Sequence, residues 1–418
     1  MILFQGQVYK DSKQDELISK LYETALLTLK NKPLDPLTVI NACDKLYKKV
    51  MNHDFDDIIL PLLETFDISY PYFLDSAKNF SKEGLLTKLK IELGEDYAAL
   101  SKLKSGTKRQ YYPLGILFHV AAGNVDALPA YSVIEGLLAG NINILKLPSG
   151  DSGISIKLLS ELIKEEPILK DYIYVFDVPS TEIETIKRLA NISNGIVVWG
   201  GDFALKAARE FAPINSKIIC WGHKLSFAYA SLDASEKELE ELASHICQTN
   251  QVLCSSVQGI FVDTEKEDEA KKFADRFFNI LVKVSKSGAK YDLGMAGKNT
   301  INLYVDKMED PSLYLLNSDG VSVVYKKDSK LELSYMFRNV WIKRLPRDKI
   351  LTLHKNKSYL QSVALLCTDK DREILSTLLA QAGVTRVSGP NSSRLFLGES
   401  HDGLYPLREY SRVVEFDK

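Results

Sequence analysis

Five cysteines are scattered along the 418-residue chain, at positions 43, 220, 247, 254 and 367. An odd, dispersed set with no CxxC or Cys/His spacing is neither a disulfide framework nor a zinc site, and no metal is expected. It predicts free thiols in a reducing cytoplasm. Cys254 differs from the others in its surroundings, because it follows a predicted helix end and opens the polar run Cys254-Ser255-Ser256. A thiol so placed has two readings, a packing residue or a nucleophile for acyl transfer. Acyl transfer needs N–H donors for the charge that develops on oxygen. Asn124, beside Gly123, reads as an ordinary turn residue that tolerates a left-handed conformation. Lys146 closes an apolar segment as a solvated edge residue would, and Gly200-Gly201 read as a tight turn that opens a helix. Neither GxGxxG nor GxxxxGK[ST] is present, so a bound nucleotide would require another geometry.

The elements that must position these residues fall into two series. Residues 13–100 read as mostly helical. From Pro113 strands and helices alternate: GILFHVAA, the helix AYSVIEGLLAG ending at Gly140, NINILKL, ISIKLLSELIKEE, YIYVFDV, TEIETIKRLAN and GIVVWGG. That alternation predicts a parallel, doubly wound sheet with ligands at the C-terminal ends of its strands. The second series starts near Ser226 with SFAYASL. Ser235 and Glu238 form a capping-box start for a helix to about Asn250, and Cys254 then precedes the strand VQGIFVD. A helix over 267–286, strands INLYVD, VSVVYKK, VWIKRL and SVALLC, the helix REILSTLLAQAG and a final strand SRVVEF complete the reading. The expected domains are 1–224, a helical region with a cofactor-binding α/β domain, and 225–395, an α/β domain carrying the cysteine. A tail over 396–418 is expected to return toward the cofactor domain.

Charge and hydropathy remove several function classes. The formal net charge is −2, and basic residues are interleaved with acids, so no nucleic-acid partner is expected. No apolar run approaches the roughly 18 residues that span a bilayer, and the N-terminus lacks the marks of a secretory leader.

The segment PLGILFHVAAGNVDALPAYSVIEGLLAGNINILKLPSGD, residues 113–151, resembles the strand–Asn-turn–helix–strand–Lys segment of the aldehyde dehydrogenase superfamily. Pro113, Gly115, Asn124, Ala139-Gly140-Asn141 and Lys146 match its pattern. VVWGGDFALKAAREFA, KIICWGHKLSFAYA and NQVLCSSVQGIFV follow in the order of the superfamily's second cofactor loop, its Glu-x-Gly-Gly-Lys turn and its nucleophile segment. HVAAGNV, CSS and HDGLYPLREYSRVVEF resemble the long-chain fatty acyl-CoA reductases of bacterial bioluminescence.

That resemblance implies an α/β, aldehyde dehydrogenase-like fold: two doubly wound α/β domains with the active site in the cleft between them. It implies Cys254 as nucleophile, with Asn124 and the Cys254 N–H as oxyanion donors. Lys146, Ser149, Gly200 and Gly201 would bind the cofactor. Ser149 falls near a position where NAD-preferring relatives carry Glu, so NADPH (NADP) is expected. Phe337 matches an aromatic beside the nicotinamide ribose, or else a core residue. Cys220 stands at the Glu position of the turn Cys220-Trp221-Gly222-His223-Lys224, which implies that no general base activates water against the thioacyl enzyme. The implied reaction is NADPH-dependent reduction of an acyl-CoA to the aldehyde. An acyl-protein synthetase is an implied partner, and a homo-oligomer is expected. A hydrolytic aldehyde dehydrogenase, an acyl-phosphate reductase and a non-catalytic member of the fold remain as alternatives.

Overall fold

The computed structural model describes residues 1–31, 33–65, 70–95, 101–102, 106–121, 128–149, 151, 153–287, 293–391 and 398–417. The chain forms two compact units, the first of Met1–Leu62, Pro71–Gly222 and Phe396–Lys418, the second of Leu63–Tyr70 and His223–Leu395.

In the first unit β1 (Ile2–Phe4) and β2 (Gln7–Tyr9) make a hairpin, and β3 (Ser101–Lys102) pairs with β4 (Lys108–Pro113). Then come β5 (Ile116–Val120), β6 (Ile142–Lys146), β7 (Ile173–Phe176), β8 (Gly195–Trp199) and β9 (Lys217–Trp221). The sheet order is β2-β1-β7-β6-β5-β8-β9, parallel from β7 to β9. Its central strands β6, β7 and β8 are short runs buried on both faces, as a sheet covered by helices on both sides requires. Chain order departs from β5 in both directions, so the sheet has a switch point between β5 and β8. The N-terminal hairpin, absent from the sequence expectation, turns through Gln5 and Gly6, both at positive φ.

The Ala-Gly-Asn motif has a structural cause. Asn141 is fully buried; its Oδ1 accepts from Gly115 N at 2.9 Å, and its Nδ2 donates to the Tyr410 carbonyl at 3.0 Å. One amide thus ties the entry of β5 to the C-terminal segment. Glu92 Oε2 holds Leu407 N at 2.7 Å, while Lys88 pairs with Glu92 and Glu135 at 2.6 and 2.9 Å. Burial pushes the Glu92 carboxyl upward, although Lys88 pulls the other way.

The second unit contains β10 (Leu225–Ala230), β11 (Val257–Val262), β12 (Tyr314–Ser318), β13 (Val321–Lys326), β14 (Asn339–Arg344), β15 (Leu360–Leu366) and β16 (Arg386–Ser388). They form the order β12-β13-β14-β11-β10-β15-β16, parallel except for the β12–β13 pair. Apolar clusters cover both faces. One packs Leu239, Leu242 and Ile246 with Phe273 and Phe277; the other centres on Phe227, Phe261 and Trp341. Each such side chain stabilises the unit by roughly 1.5–3 kcal/mol. Gly259 is dictated by packing, since a Cβ there would meet the Trp341 ring at 2.0 Å. The last strand, β17 (Ser411–Phe416), returns to pair antiparallel with β4.

One expected strand is a helix. INLYVD lies within Leu293–Glu309, whose buried residues Ala296, Asn299 and Leu303 recur at helical spacing. The apolar alternation that suggested a strand arises because Ile301 and Val305 are exposed, at 64% and 46%.

Candidate active site

Cys254 sits in a tight turn at the N-terminal edge of the second sheet. The helix Glu236–Thr249, started by the Ser235/Glu238 capping box, ends at Asn250 in the left-handed region. The turn that follows closes with Ser256 N on the Leu253 carbonyl at 2.9 Å and Leu253 N on Ser256 Oγ at 3.2 Å. Both serines of the Cys-Ser-Ser run are buried, whereas Cys254 is exposed. The Cys254 carbonyl accepts from Ser226 Oγ on β10 at 2.8 Å.

Exposure separates Cys254 from the other four cysteines. Cys43, Cys247 and Cys367 are buried and Cys220 is half-buried. Burial pushes the Cys43 thiol up to about 12 and raises those of Cys247, Cys367 and Cys220. A raised thiol is a poor nucleophile near neutral pH, because the thiolate is the attacking species.

Two left-handed backbone stretches interlock beside this turn. Asn250 and Gln251 have φ of 44° and 62°, and Met336, Phe337 and Arg338 have 56°, 48° and 68°. Phe337 N donates to the Asn250 carbonyl at 2.9 Å, and Arg338 Nε to Asn250 Oδ1 at 3.4 Å. The buried Gln251 amide donates to the Val257 and Asn339 carbonyls at 3.1 and 3.2 Å. Consecutive non-glycine residues in this region are costly, and such strain concentrates at functional sites. Phe337 is half-buried in that lock. None of the five strained residues of the lock is a glycine, so no residue type marks it in the sequence.

The groups expected to meet a cofactor lie on the first unit. Lys146, at the end of β6, is 4% exposed; its Nζ donates to the Leu147 carbonyl at 3.1 Å and Ser180 Oγ at 3.5 Å. Among the described residues no carboxylate lies within ion-pair distance of it, and burial lowers its pKa. The more distant Asp177 opposes that shift. A buried cation in such a position fits an anionic ligand. Ser149 is exposed in the turn after β6. The neighbouring Asp151 is committed elsewhere, accepting from Gly153 N and Ser155 Oγ at 2.8 Å each.

Gly200 and Gly201 follow β8 and open the helix Asp202–Phe211, where Gly201 at the N-cap offers the first-turn N–H groups no side chain. A Cβ on Gly200 would stand 2.9 Å from the Ala204 Cβ. Lys146 and the glycine pair therefore share the C-terminal end of one sheet and fit a dinucleotide's anionic parts. Asn124 lies outside the described residues. The structure thus groups Lys146, Ser149, Gly200 and Gly201 on the first unit, and Cys254 belongs to the second.

Cys220 lies on β9, where a neutral thiol has no capacity to act as a general base. His223 is exposed. Among the described residues no cluster of His, Cys, Asp or Glu could hold a metal, and no helix is long and apolar enough to cross a membrane.

The model of a family described as acyl-CoA reductase (LuxC) matches residues 34–413. Among similar proteins, the long-chain acyl-protein thioester reductase of Aliivibrio fischeri is 25% identical over 355 residues, covering 81% of this chain and 71% of the relative. Its namesake from Photobacterium phosphoreum is 23% identical over 367 residues, covering 81% and 70%. Among solved structures, methylmalonate-semialdehyde dehydrogenase from Oceanimonas doudoroffii aligns with a TM-score of 0.74 at 12% identity, over 99% of this chain and 97% of that one. An aldehyde dehydrogenase from Bartonella henselae aligns with a TM-score of 0.72 at 14% identity, over 99% and 95%. The fold is therefore that of the aldehyde dehydrogenases.

Proposed function

The chain belongs to the acyl-CoA reductase (LuxC) family, and on that premise we propose that it reduces a fatty acyl thioester to the aldehyde with NADPH, through a thioacyl-enzyme on Cys254. The observation that carries this reading is the exposure of Cys254 alone among the five cysteines, in a turn held by Ser226 and Ser256. The Cys254 thiolate attacks the acyl carbon, forming a new C–S bond while the old one breaks and the departing thiolate takes a proton. Asn124 and the Cys254 N–H hold the charge on oxygen during that exchange. A bound nicotinamide cofactor would supply the hydride that converts the thioacyl carbon to a thiohemiacetal on Cys254, the precursor of the aldehyde. Collapse then returns the electron pair of the C–S bond to the Cys254 sulfur.

Lys146 and the Gly200-Gly201 turn would hold the cofactor's anionic groups, and an exposed Ser149 in place of a carboxylate leaves room for a 2′-phosphate beside Lys146. The thioester arrives as acyl-CoA, or from an acyl-protein donor of the kind that gives the Aliivibrio and Photobacterium relatives their names. The test is to incubate the protein with NADPH and a panel of acyl-CoAs and acyl-proteins of differing chain length. Consumption of NADPH matched by aldehyde is expected. Absence of both with every donor would overturn the reading.

A further inference from the structure

Gln361 is the second residue of β15 and is 7% exposed, in a strand that is otherwise a buried apolar run after Ser362. Its Nε2 lies 3.6 Å from Cys254 Sγ, within range of a hydrogen bond to sulfur. Its position is over-determined. β10 and β15 pair in parallel with Leu225 opposite Leu360 and Phe227 opposite Val363, so Ser226 faces two residues, Gln361 and Ser362. A bulge of this kind re-aims a side chain and is favoured beside active sites. Ser362 N donates to Ser226 Oγ at 3.2 Å, and the Gln361 carbonyl accepts from Thr385 N and Oγ1 at 3.0 and 3.1 Å. Ser226 Oγ also stands 3.4 Å from Gln361 Oε1, with the amide nitrogen on the side of the sulfur. The same Ser226 hydroxyl donates to the Cys254 carbonyl. β11 bulges at the matching level, where Ser226 faces Val257 and Ala228 faces Ile260. Both neighbours of β10 thus break register where the nucleophile turn is seated.

Resting on the reading of Cys254 as the acyl-accepting thiol, we propose that Gln361 is a further catalytic residue, whose carboxamide N–H donates to the Cys254 sulfur and favours its thiolate. A buried amide is a poor choice for stability, since an apolar side chain would fill this strand without needing partners. What the amide adds is a donor aimed at a sulfur that is anionic twice in the cycle. It is so when the thiolate attacks the acyl carbon, and again when the C–S bond breaks and the sulfur leaves with its electron pair. A single donor lowers the barrier to both events, because both place negative charge on the same atom.

The test measures alkylation of Cys254 by iodoacetamide across pH 5.5 to 10, located by peptide mass, in the full chain and in Gln361→Leu and Gln361→Asn. Leu keeps bulk without a donor, and Asn keeps the amide but withdraws it by one methylene. Both variants are expected to raise the midpoint of the alkylation profile by about one pH unit and to slow alkylation at pH 7 about tenfold, the scale of one hydrogen bond to a charged group. NADPH binding and thermal unfolding monitor the fold, and if Leu fails to fold, Asn carries the test. A midpoint unchanged in a folded variant would overturn the proposal. The measurement needs no acyl substrate. A shifted midpoint in a protein that no acyl thioester labels would refute the reductase reading and leave the Gln361–Cys254 link standing.

Discussion

The first unit carries its candidate chemistry after its strands, and the second carries it before one. Lys146 ends β6, Ser149 follows it, and Gly200 and Gly201 follow β8, at the end where doubly wound sheets bind ligands. Cys254 precedes β11, with Ser226 and Gln361 at the starts of β10 and β15. The opposite end of the second sheet is closed by Arg347, which donates to Asp263 Oδ2 at 2.8 Å and to Asp371 Oδ1 at 3.2 Å. Two sheets of like topology therefore expose different ends. Helix N-termini after the strands of the first give N–H groups and positive dipole ends for a phosphate-bearing ligand. The starts of the strands in the second offer a turn whose register is set by bulges, and that rigidity suits a nucleophile more than a mobile loop would.

The sharpest way to break this comparison is to remove the nucleophile. Cys254→Ser should abolish reduction and acyl labelling while NADPH still binds the first unit with unchanged affinity. Cys43→Ala, Cys220→Ala, Cys247→Ala and Cys367→Ala should each retain labelling, and a loss confined to one of these would move the nucleophile. Next in size, Asn124→Ala removes the proposed side-chain oxyanion donor. Single-turnover reduction should slow by roughly 10²–10³ with cofactor affinity unchanged. A rate within threefold of the parent would show that another group does the work.

Each unit also carries one buried neutral histidine, so the comparison extends to pH. Burial holds His119 at about 4, opposed by a hydrogen bond with Asn143, and burial holds His245 at about 4. These folded values lie below the ordinary 6.5. The stabilisation is therefore complete above pH 6.5 and is lost as pH falls toward 4. Each histidine should contribute about 2–3 kcal/mol of destabilisation between pH 7 and 4.5. His245→Phe should remove the share of the second unit, seen as a shallower fall in thermal stability with acid. Identical slopes in variant and parent would contradict this. The smaller effect is on cofactor choice: Ser149→Glu should shift the preference from NADPH toward NADH by roughly ten- to a hundredfold and leave acyl labelling of Cys254 intact. Equal use of both cofactors by the unmodified protein would remove Ser149 and Lys146 from the specificity argument.

Periodicity made most of the fold legible. The apolar runs of β5 through β8 and the Ser235 capping box are local signals, and the structure has them where the pattern placed them. The strand expected at INLYVD failed because exposed Ile301, Tyr304 and Val305 mimic a buried pattern on an open helix face. The N-terminal hairpin was missed because three-residue strands are too short for alternation to register. Cys254 stood out through its polar neighbours and its resemblance to a known nucleophile segment. Gln361 did not, because the expected strand began one residue after it and its meaning depends on a bulge against β10 that is 135 residues away in sequence. A polar Gln-Ser pair entering the apolar run VALLC was the only available hint.

The most direct test of the account is the lifetime of the acyl group on Cys254, followed by intact mass after mixing the protein with an acyl-CoA in the absence of cofactor. General-base assistance is typically worth on the order of 10²–10⁴ in rate, and Cys220, which we propose stands in place of that base, has a thiol raised by burial. A single acyl adduct on Cys254 is expected, persisting in buffer and discharged on adding CoA, or NADPH with release of aldehyde. Rapid spontaneous release of free acid, or an adduct on any other cysteine, would contradict it.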